Sequence, residues 1–224
     1  MTEIRELPIF PLPLVLFPGQ LLPLHIFEQR YKLMIKDISD SDKLFGINFI
    51  EPELGRPEHE LAQKVGCSAE ISLSVALEEG RLNIAVLGRQ RYRILRYTQI
   101  NPYHVAEVET LFDEPEVSES FDQLLQEAKT VFEGFINTAK KLNEALILDG
   151  GIPIQAEPFS HLVSSVLPVS NKTKQKLLEM TSTSERLKTA LIYLLEAKKE
   201  SEHRLSVQSI SKTNGHGGKL PADH

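Results

Sequence analysis

Alternating apolar and polar positions predict a set of short strands over residues 7–112. Between residues 65 and 75 every second residue is apolar, and Gly, Ser or Glu stands between them. That period is typical of a strand with one face in a core and the other in water. A second alternating segment starts at Leu82, after the turn at 78–80, so the two segments predict a hairpin, and Gly88 is predicted to break its second strand. Other strands are predicted at 15–17, 21–24, 44–50, 92–97 and 103–112.

The opening of the chain is apolar from residue 7 to residue 19, without one polar side chain. Four prolines in this run exclude a continuous helix, because each fixes φ and lacks a backbone N–H. The run is shorter than the roughly 20 apolar residues of a membrane span, and the charges before it are mixed in sign, unlike a signal peptide. We expect short buried extended pieces and a turn at 17–19, with Gly19 at positive φ. One helix is predicted at 27–38, its buried face formed by Tyr31, Met34, Ile35 and Ile38.

The period changes to that of helices after an acidic, proline-containing hinge at residues 113–119. Four helices are predicted within 120–205: a long one from Ser120, a second from Pro158, and two more that begin at Ser170 and Ser182. The tail 206–224 has little apolar content and is predicted to be disordered. The sequence thus predicts an α+β protein, with a curled β-sheet or small barrel at 1–112 and a helical bundle at 120–205.

The composition excludes several classes of function but does not indicate a particular one. The chain of 224 residues has 25 basic and 31 acidic side chains, and a net charge of -6 argues against a general binder of nucleic acid or anionic membranes. The single cysteine, Cys67, allows no internal disulfide, and its place on the apolar face of a strand indicates a core residue. No nucleotide-binding loop, nucleophile elbow or metal-ligand spacing is present, so we predict no catalytic residue, no metal and no cofactor.

Two clusters leave alternatives open. Arg89, Arg91 and Arg93 alternate along one strand and predict either a strip that contacts anions or RNA, or a solvated face paired with carboxylates such as Glu107 or Glu109. The negative net charge favours the second interpretation. The apolar opening is mostly core, or it keeps a few side chains exposed in a groove for apolar segments of other proteins.

Spaced pieces of the chain resemble the Lon protease N-terminal, substrate-binding domain. The opening pieces are LPIFPL at 7–12, VLFPG at 15–19 and PLHIFEQRY at 23–31. Later pieces are VGCSAEI at 65–71, GRLNI at 80–84, GRQRYRI at 88–94, the segment 164–167, QKLLE at 175–179 and ERL at 185–187. The resemblance implies a PUA-like β-barrel followed by a helical bundle. In full-length Lon this domain recognises unfolded or tagged substrates and helps hexamer assembly, ahead of ATPase and protease domains.

The ATPase motif is absent and the length leaves no room for a protease domain, so we expect a stand-alone, non-catalytic recognition protein of the cytoplasm. Its expected partners are unfolded or client polypeptides, together with a separate ATP-dependent protease, in protein quality control. Alternatives are an RNA-binding PUA-like protein or an assembly adaptor for a protease. We expect a monomer or weak oligomer. The candidate peptide-binding residues are Leu12, Leu14, Leu21, Phe27 and Tyr31.

Overall fold

The structure is a computed structural model that describes residues 3–51, 53–116, 119–142 and 151–214, with side chains up to residue 207. The strands within these ranges are β1 (Ile4–Leu12), β2 (Leu21–Ile26), β3 (Leu44–Phe49), β4 (Val65–Ala76), β5 (Leu82–Gln99) and β6 (His104–Thr110). The helices are α1 (Gln29–Ser39), α2 (Glu58–Leu61), α3 (Glu119–Lys141), α4 (Ala156–Val166), α5 (Asn171–Glu179) and α6 (Thr183–Asn214). A 3-10 turn at Glu78–Gly80 joins β4 to β5.

The strands form one curled sheet that closes on itself through β5, its longest strand. The strand order is β2-β5-β4-β3-β1-β6, and β5 pairs again with β6. The first half of β5 pairs with β2, and its second half pairs with β6. Among these six strands only β1 and β3 pair in parallel, and the other pairs are antiparallel. The predicted α+β architecture, a curled sheet followed by helices, is confirmed.

The β4–β5 hairpin forms as predicted, but Gly88 does not break its second strand. Strand β5 continues through Gly88 to Gln99. The segment 15–17, predicted as a strand, is a buried loop without strand pairing, and it lies against β5. A Cβ atom on Gly88 would lie 2.1 Å from the carbonyl oxygen of Phe17. Gly88 is therefore required by the close approach of two backbones and not by a chain reversal.

The turn predicted at 17–19 is confirmed. The Gln20 N–H donates to the Phe17 carbonyl at 3.1 Å, and Gly19 has φ +79°, as a type II turn requires. The helix predicted at 27–38 is confirmed as α1, with all four expected side chains buried. The short helix α2 was not predicted, because four residues carry too little periodicity.

The alternation in β4 describes only part of that strand. Residues 65–69 are buried whatever their parity, whereas residues 72–76 are all exposed. Register shifts lie between Cys67 and Ala69 and between Ile71 and Leu73. Leu73 and Val75 were predicted to face the core, but they are 60% and 46% exposed. Each bulge disrupts the local pairing and bends the strand. Beyond the second bulge both faces of β4 are exposed, so alternation no longer separates core positions from solvent positions.

Helices α5 and α6 start where their caps predict, but α6 ends later than predicted. Helix α3 begins at Glu119, so the predicted cap Ser120 lies within the helix. The Thr173 N–H donates to Ser170 Oγ at 3.2 Å, and the Glu185 N–H donates to Ser182 Oγ at 3.1 Å. Helix α6 runs to Asn214 instead of ending at 205. Residues 206–214 contain no Gly or Pro, so their polar composition does not interrupt the helix. Residues 215–224 lie outside the described residues.

One hydrophobic core joins the two regions of the chain. Phe17, Phe49 and Leu111 of the sheet region share a buried cluster with Phe132 and Phe159 of the helices. A second cluster packs α1 against the sheet around Phe45 and Met34, and a third lies between β1, β5 and β6. Cys67 belongs to the second cluster, and burial raises the pKa of its thiol to about 12. The acidic stretch at 113 therefore marks a change of element type, although packing continues across it.

Candidate functional site

Exposed apolar side chains from three neighbouring strands form a patch on the outer face of the sheet. Leu21 pairs with Leu87 across β2 and β5, and Leu73 pairs with Ala85 across β4 and β5. Residues directly opposite in antiparallel strands project from the same face. Leu21 is 40% exposed, and Leu73 is exposed still further. We call this surface the sheet patch; its members are Leu21, Pro23, Leu73, Val75, Ala85 and Leu87.

A groove continues the sheet patch toward the helices. It has a volume of about 620 Å³ and lies between the turn at 17–20, the middle of β5 and helix α4. Leu21 and Leu87 line it as well, so it is continuous with the sheet patch. Its other apolar walls include Leu162 and Val166 of α4. We call it the junction groove.

A second, smaller cavity lies at the other end of β2. Its volume is about 320 Å³, and Leu12, Phe27 and Tyr31 line it together. Leu21 lines the junction groove instead, and Leu14 lines neither cavity but packs, partly buried, against the core beneath α1. The structure therefore brings three of the five candidate residues together. Phe27 is 60% exposed whereas Tyr31 is 3% exposed, so Phe27 is the accessible member. We call this cavity the Phe27 groove.

The arginines at 89, 91 and 93 do not form a free cationic strip. Arg91 is buried, although its two neighbours in the strip are exposed. Arg89 donates to Glu70 at 2.6 Å, and Arg93 donates to Glu109 at 3.2 Å. The alternative interpretation, pairing with carboxylates across strands, holds for Glu109 here and for Glu107, which accepts from Arg96. An anion or RNA strip that includes Arg91 is wrong for this fold, because the side chain of Arg91 turns into the junction with the helices.

A buried ion cluster holds the sheet region to the helices at this junction. Asp113 accepts hydrogen bonds from Arg91, Arg186 and Thr183. Its side chain is 5% exposed and those of the two arginines are 1% and 0% exposed. Arg91 also donates to the carbonyl of Leu178 at 2.8 Å. Burial by itself would raise the pKa of Asp113, but the hydrogen bonds and charges of its partners outweigh it and hold that pKa below its usual range.

The sequence placed Asp113 in an acidic, proline-containing hinge, and it did not predict the ion cluster. A signal was available in the last helix. Arg186 stands four residues before Ala190 and so lies on the same helix face as that buried residue. A charge on the apolar face of a helix requires a buried partner. The sequence could have indicated that a partner exists, but the identity of Asp113 depends on the tertiary structure.

His161 lies beside the ion cluster and lines the junction groove. Its side chain is 2% exposed, and Nε2 lies 3.8 Å from a carboxylate oxygen of Glu157. Burial, reinforced by the charges of Arg186 and Arg91, lowers the pKa of His161 to about 4. The imidazole is therefore neutral at pH 7. Among the described residues no three His, Cys, Asp or Glu side chains are grouped to hold a metal ion, and no described helix is long and apolar enough to cross a membrane.

The fold and its exposed apolar surfaces define a class: α+β domains in which a closed, curled sheet is joined to a helical bundle. Residues 6–196 match the family model described as the ATP-dependent protease La (LON) substrate-binding domain. The chain belongs to the Lon substrate-binding domain family.

Relatives and solved structures agree with this assignment. The Lon protease of Rhizobium meliloti (strain 1021) is 28% identical over 216 residues, which are 94% of this chain and 26% of that protein. The Lon protease of Cytophaga hutchinsonii is 30% identical over 210 residues, 87% of this chain and 25% of that protein. The chain thus spans about a quarter of the length of these curated relatives.

Two solved structures show the same fold. The Lon N-terminal domain protein from Xanthomonas campestris superposes with a TM-score of 0.63 and 22% identity, covering 84% of this chain and 98% of that one. The N-terminal domain of the Mycobacterium avium complex Lon protease gives a TM-score of 0.61 and 16% identity, covering 85% and 98%.

Proposed function

We propose that this protein recognises client polypeptides by burying their apolar side chains on the sheet patch and in the junction groove. The sheet patch carries the proposal. Leu73 and Val75 are large apolar side chains on β4, they project into solvent, and the described part of the chain does not cover them. A contiguous exposed apolar surface is typical of an interaction site. Membership of a substrate-binding family supports the same role.

The expected affinity is modest. Each Å² of apolar surface removed from water contributes about 25 cal/mol, but association and the ordering of an unfolded client offset much of that. We expect dissociation constants of about micromolar or weaker. Weak, sequence-tolerant binding suits a domain that samples many unfolded chains.

Replacing both Leu73 and Val75 with Ser is expected to weaken binding of a reduced, alkylated model protein by about tenfold or more. Stability should change little, because both side chains already contact water. Fluorescence anisotropy with the labelled unfolded protein measures the effect. The matched control is Ile192→Ser, which removes an apolar side chain of 59% exposure from α6, away from the patch. Unchanged affinity in a folded double variant would count against the proposal.

We place this binding in protein quality control, with bound clients passed to a separate ATP-dependent protease. The support is that the matched relatives are Lon proteases and that the match covers about a quarter of their length. The wild type and the double Ser variant should capture such a protease from native lysate equally well. Equal capture would show that the protein contacts the protease through a surface other than the sheet patch.

A further inference from the structure

The Phe27 groove combines an exposed aromatic ring with charged side chains. Phe27 packs beside His25, with ring centroids 6.0 Å apart, and its ring remains open to solvent. Leu12 and Ile50 contribute aliphatic walls. Glu28, Arg30 and Glu58 also line it. A segment entering this groove therefore meets an apolar surface and an ionic rim at the same time.

The ionic rim has one more carboxylate than it has guanidinium groups. Arg30 donates from Nε to Glu28 at 2.9 Å, and its two terminal nitrogens donate to Glu58 at 2.8 Å and 3.0 Å. Burial opposes the charge of Arg30, but the hydrogen bond and charge of Glu58 outweigh it, so the pKa of the guanidinium is raised. Arg30 thus stays charged and balances one carboxylate. One negative charge is left over, and Glu28 is the more exposed acid, at 43%.

The lysine that the neighbouring helix α5 brings to this side of the molecule is already paired with a carboxylate. Asn171, at the start of α5, donates to the Pro13 carbonyl at 2.8 Å and brings Lys172 to this side of the molecule. Lys172 is paired with Glu51 at 2.8 Å. Arg30 bonds to Oε2 of Glu28, and among the described residues Glu28 forms no ion pair with a second cation.

We infer that the Phe27 groove accepts a polypeptide segment in which an apolar side chain stands next to a lysine or arginine. The apolar side chain packs on Phe27 and Leu12, and the cation pairs with Glu28 at the rim. The ring of Phe27 also attracts a cation placed over its face. This inference rests on the proposed function, because it names the chemistry of the clients that bind best, and it adds a second contact region beyond the sheet patch.

Two labelled peptides test the inference. They share one apolar core with a central Phe, and they differ only in flanking residues, Lys in one and Glu in the other. Fluorescence anisotropy at low and physiological salt should show the Lys-flanked peptide binding the wild type about tenfold more tightly, with the preference falling as salt screens the charges. Phe27→Ser should weaken binding of the Lys-flanked peptide at both salt concentrations.

The variant Glu28→Gln tests the contribution of the negative charge of Glu28 to peptide binding. Glu28 precedes α1 without a side-chain capping bond, and a Gln oxygen can still accept from Arg30, so the fold should be kept. The preference for Lys should fall to about twofold in Glu28→Gln. It should persist in the control Glu133→Gln, which removes one negative charge from an exposed position on α3.

The outcomes distinguish this inference from the proposed function. Equal binding of both peptides, or an equal loss of preference in Glu28→Gln and Glu133→Gln, overturns the inference while client binding by the sheet patch stands. Failure of the wild type to bind either peptide or the unfolded model protein overturns both.

Discussion

Replacing Asp113 with Ala is expected to lower the free energy of unfolding by about 3–5 kcal/mol, because it leaves two buried guanidinium groups without their counter-ion. Arg91 and Arg186 would keep their backbone carbonyl acceptors but would repel each other at the junction. Urea unfolding followed by circular dichroism measures the loss. Because sheet and helices share one core, a single transition at lower urea concentration is expected for both regions.

Glu107→Ala is the matched control for this variant. It also removes a carboxylate from an arginine pair, but Arg96 is 66% exposed and Glu107 is 29% exposed. Exposed pairs contribute up to about 1 kcal/mol, so this variant should unfold close to the wild type. A loss of similar size in both variants would show that the Asp113 cluster is no stronger than a surface pair.

The Asp113 cluster should also leave a signature in the dependence of stability on pH. The pKa of Asp113 is lowered in the folded state, so its contribution is fully present above the unfolded pKa of about 3.9 and is lost as pH falls through the lower, folded value. The stability difference between the wild type and Asp113→Asn should therefore be constant from pH 5 to 7 and shrink below about pH 4. A difference that grew on acidification would contradict the assignment.

Replacing Gly88 with Ala is expected to cost about 3 kcal/mol of stability and to weaken client binding, because the new methyl group meets a backbone carbonyl and not a flexible side chain. The contact would be 2.1 Å from the oxygen of Phe17. Relief requires the turn at 17–20 to move away from β5. That movement would break the hydrogen bonds from Gly19 N to Gly88 O at 2.8 Å and from Gly88 N to Gln20 O at 2.9 Å. It would also displace Leu21, which belongs to both apolar surfaces.

Gly134→Ala provides the contrast. Gly134 lies within α3, where Ala favours the helix by about 1 kcal/mol, and the new methyl group would meet only the flexible end of Lys198 at 3.1 Å. This variant should be as stable as the wild type or more so. Thermal unfolding compares the two glycines. A Gly88→Ala protein with a wild-type midpoint would show that the loop before β2 can shift without cost.

The sequence predicted the local elements well where a strong period or a cap was present. Helix α1 and its buried face, the turn that ends at Gln20, the β4–β5 hairpin and the caps at Ser170 and Ser182 all follow from neighbouring residues. The bulges in β4 carry no residue signature, so the exposure of Leu73 and Val75 could not be predicted from alternation. A glycine such as Gly88 can end a strand or allow the close approach of another backbone, and the sequence does not distinguish these two roles.

The sequence predicted one part of the candidate binding surface, and the tertiary structure decided the other part. The apolar opening indicated a surface for polypeptides, and the structure brings Leu12, Phe27 and Tyr31 into one groove. Their use as a binding site stays a prediction. The larger apolar surface arises elsewhere, where β2 and β4 flank β5. The β4–β5 hairpin was predicted, but β2 and β5 are distant in sequence, and their pairing cannot be deduced from either strand alone.

By itself, the sequence determined the class of this protein: a curled sheet followed by helices, acidic overall, with spaced motifs of the Lon substrate-binding domain. Period, turn chemistry and caps are local properties, and many of them agree along the chain. Only the tertiary structure decided which charges are buried and which apolar groups are exposed. Arg91 alternates with two solvated arginines yet pairs with Asp113 inside the molecule, because burial depends on what packs against a strand and not on the strand's own pattern.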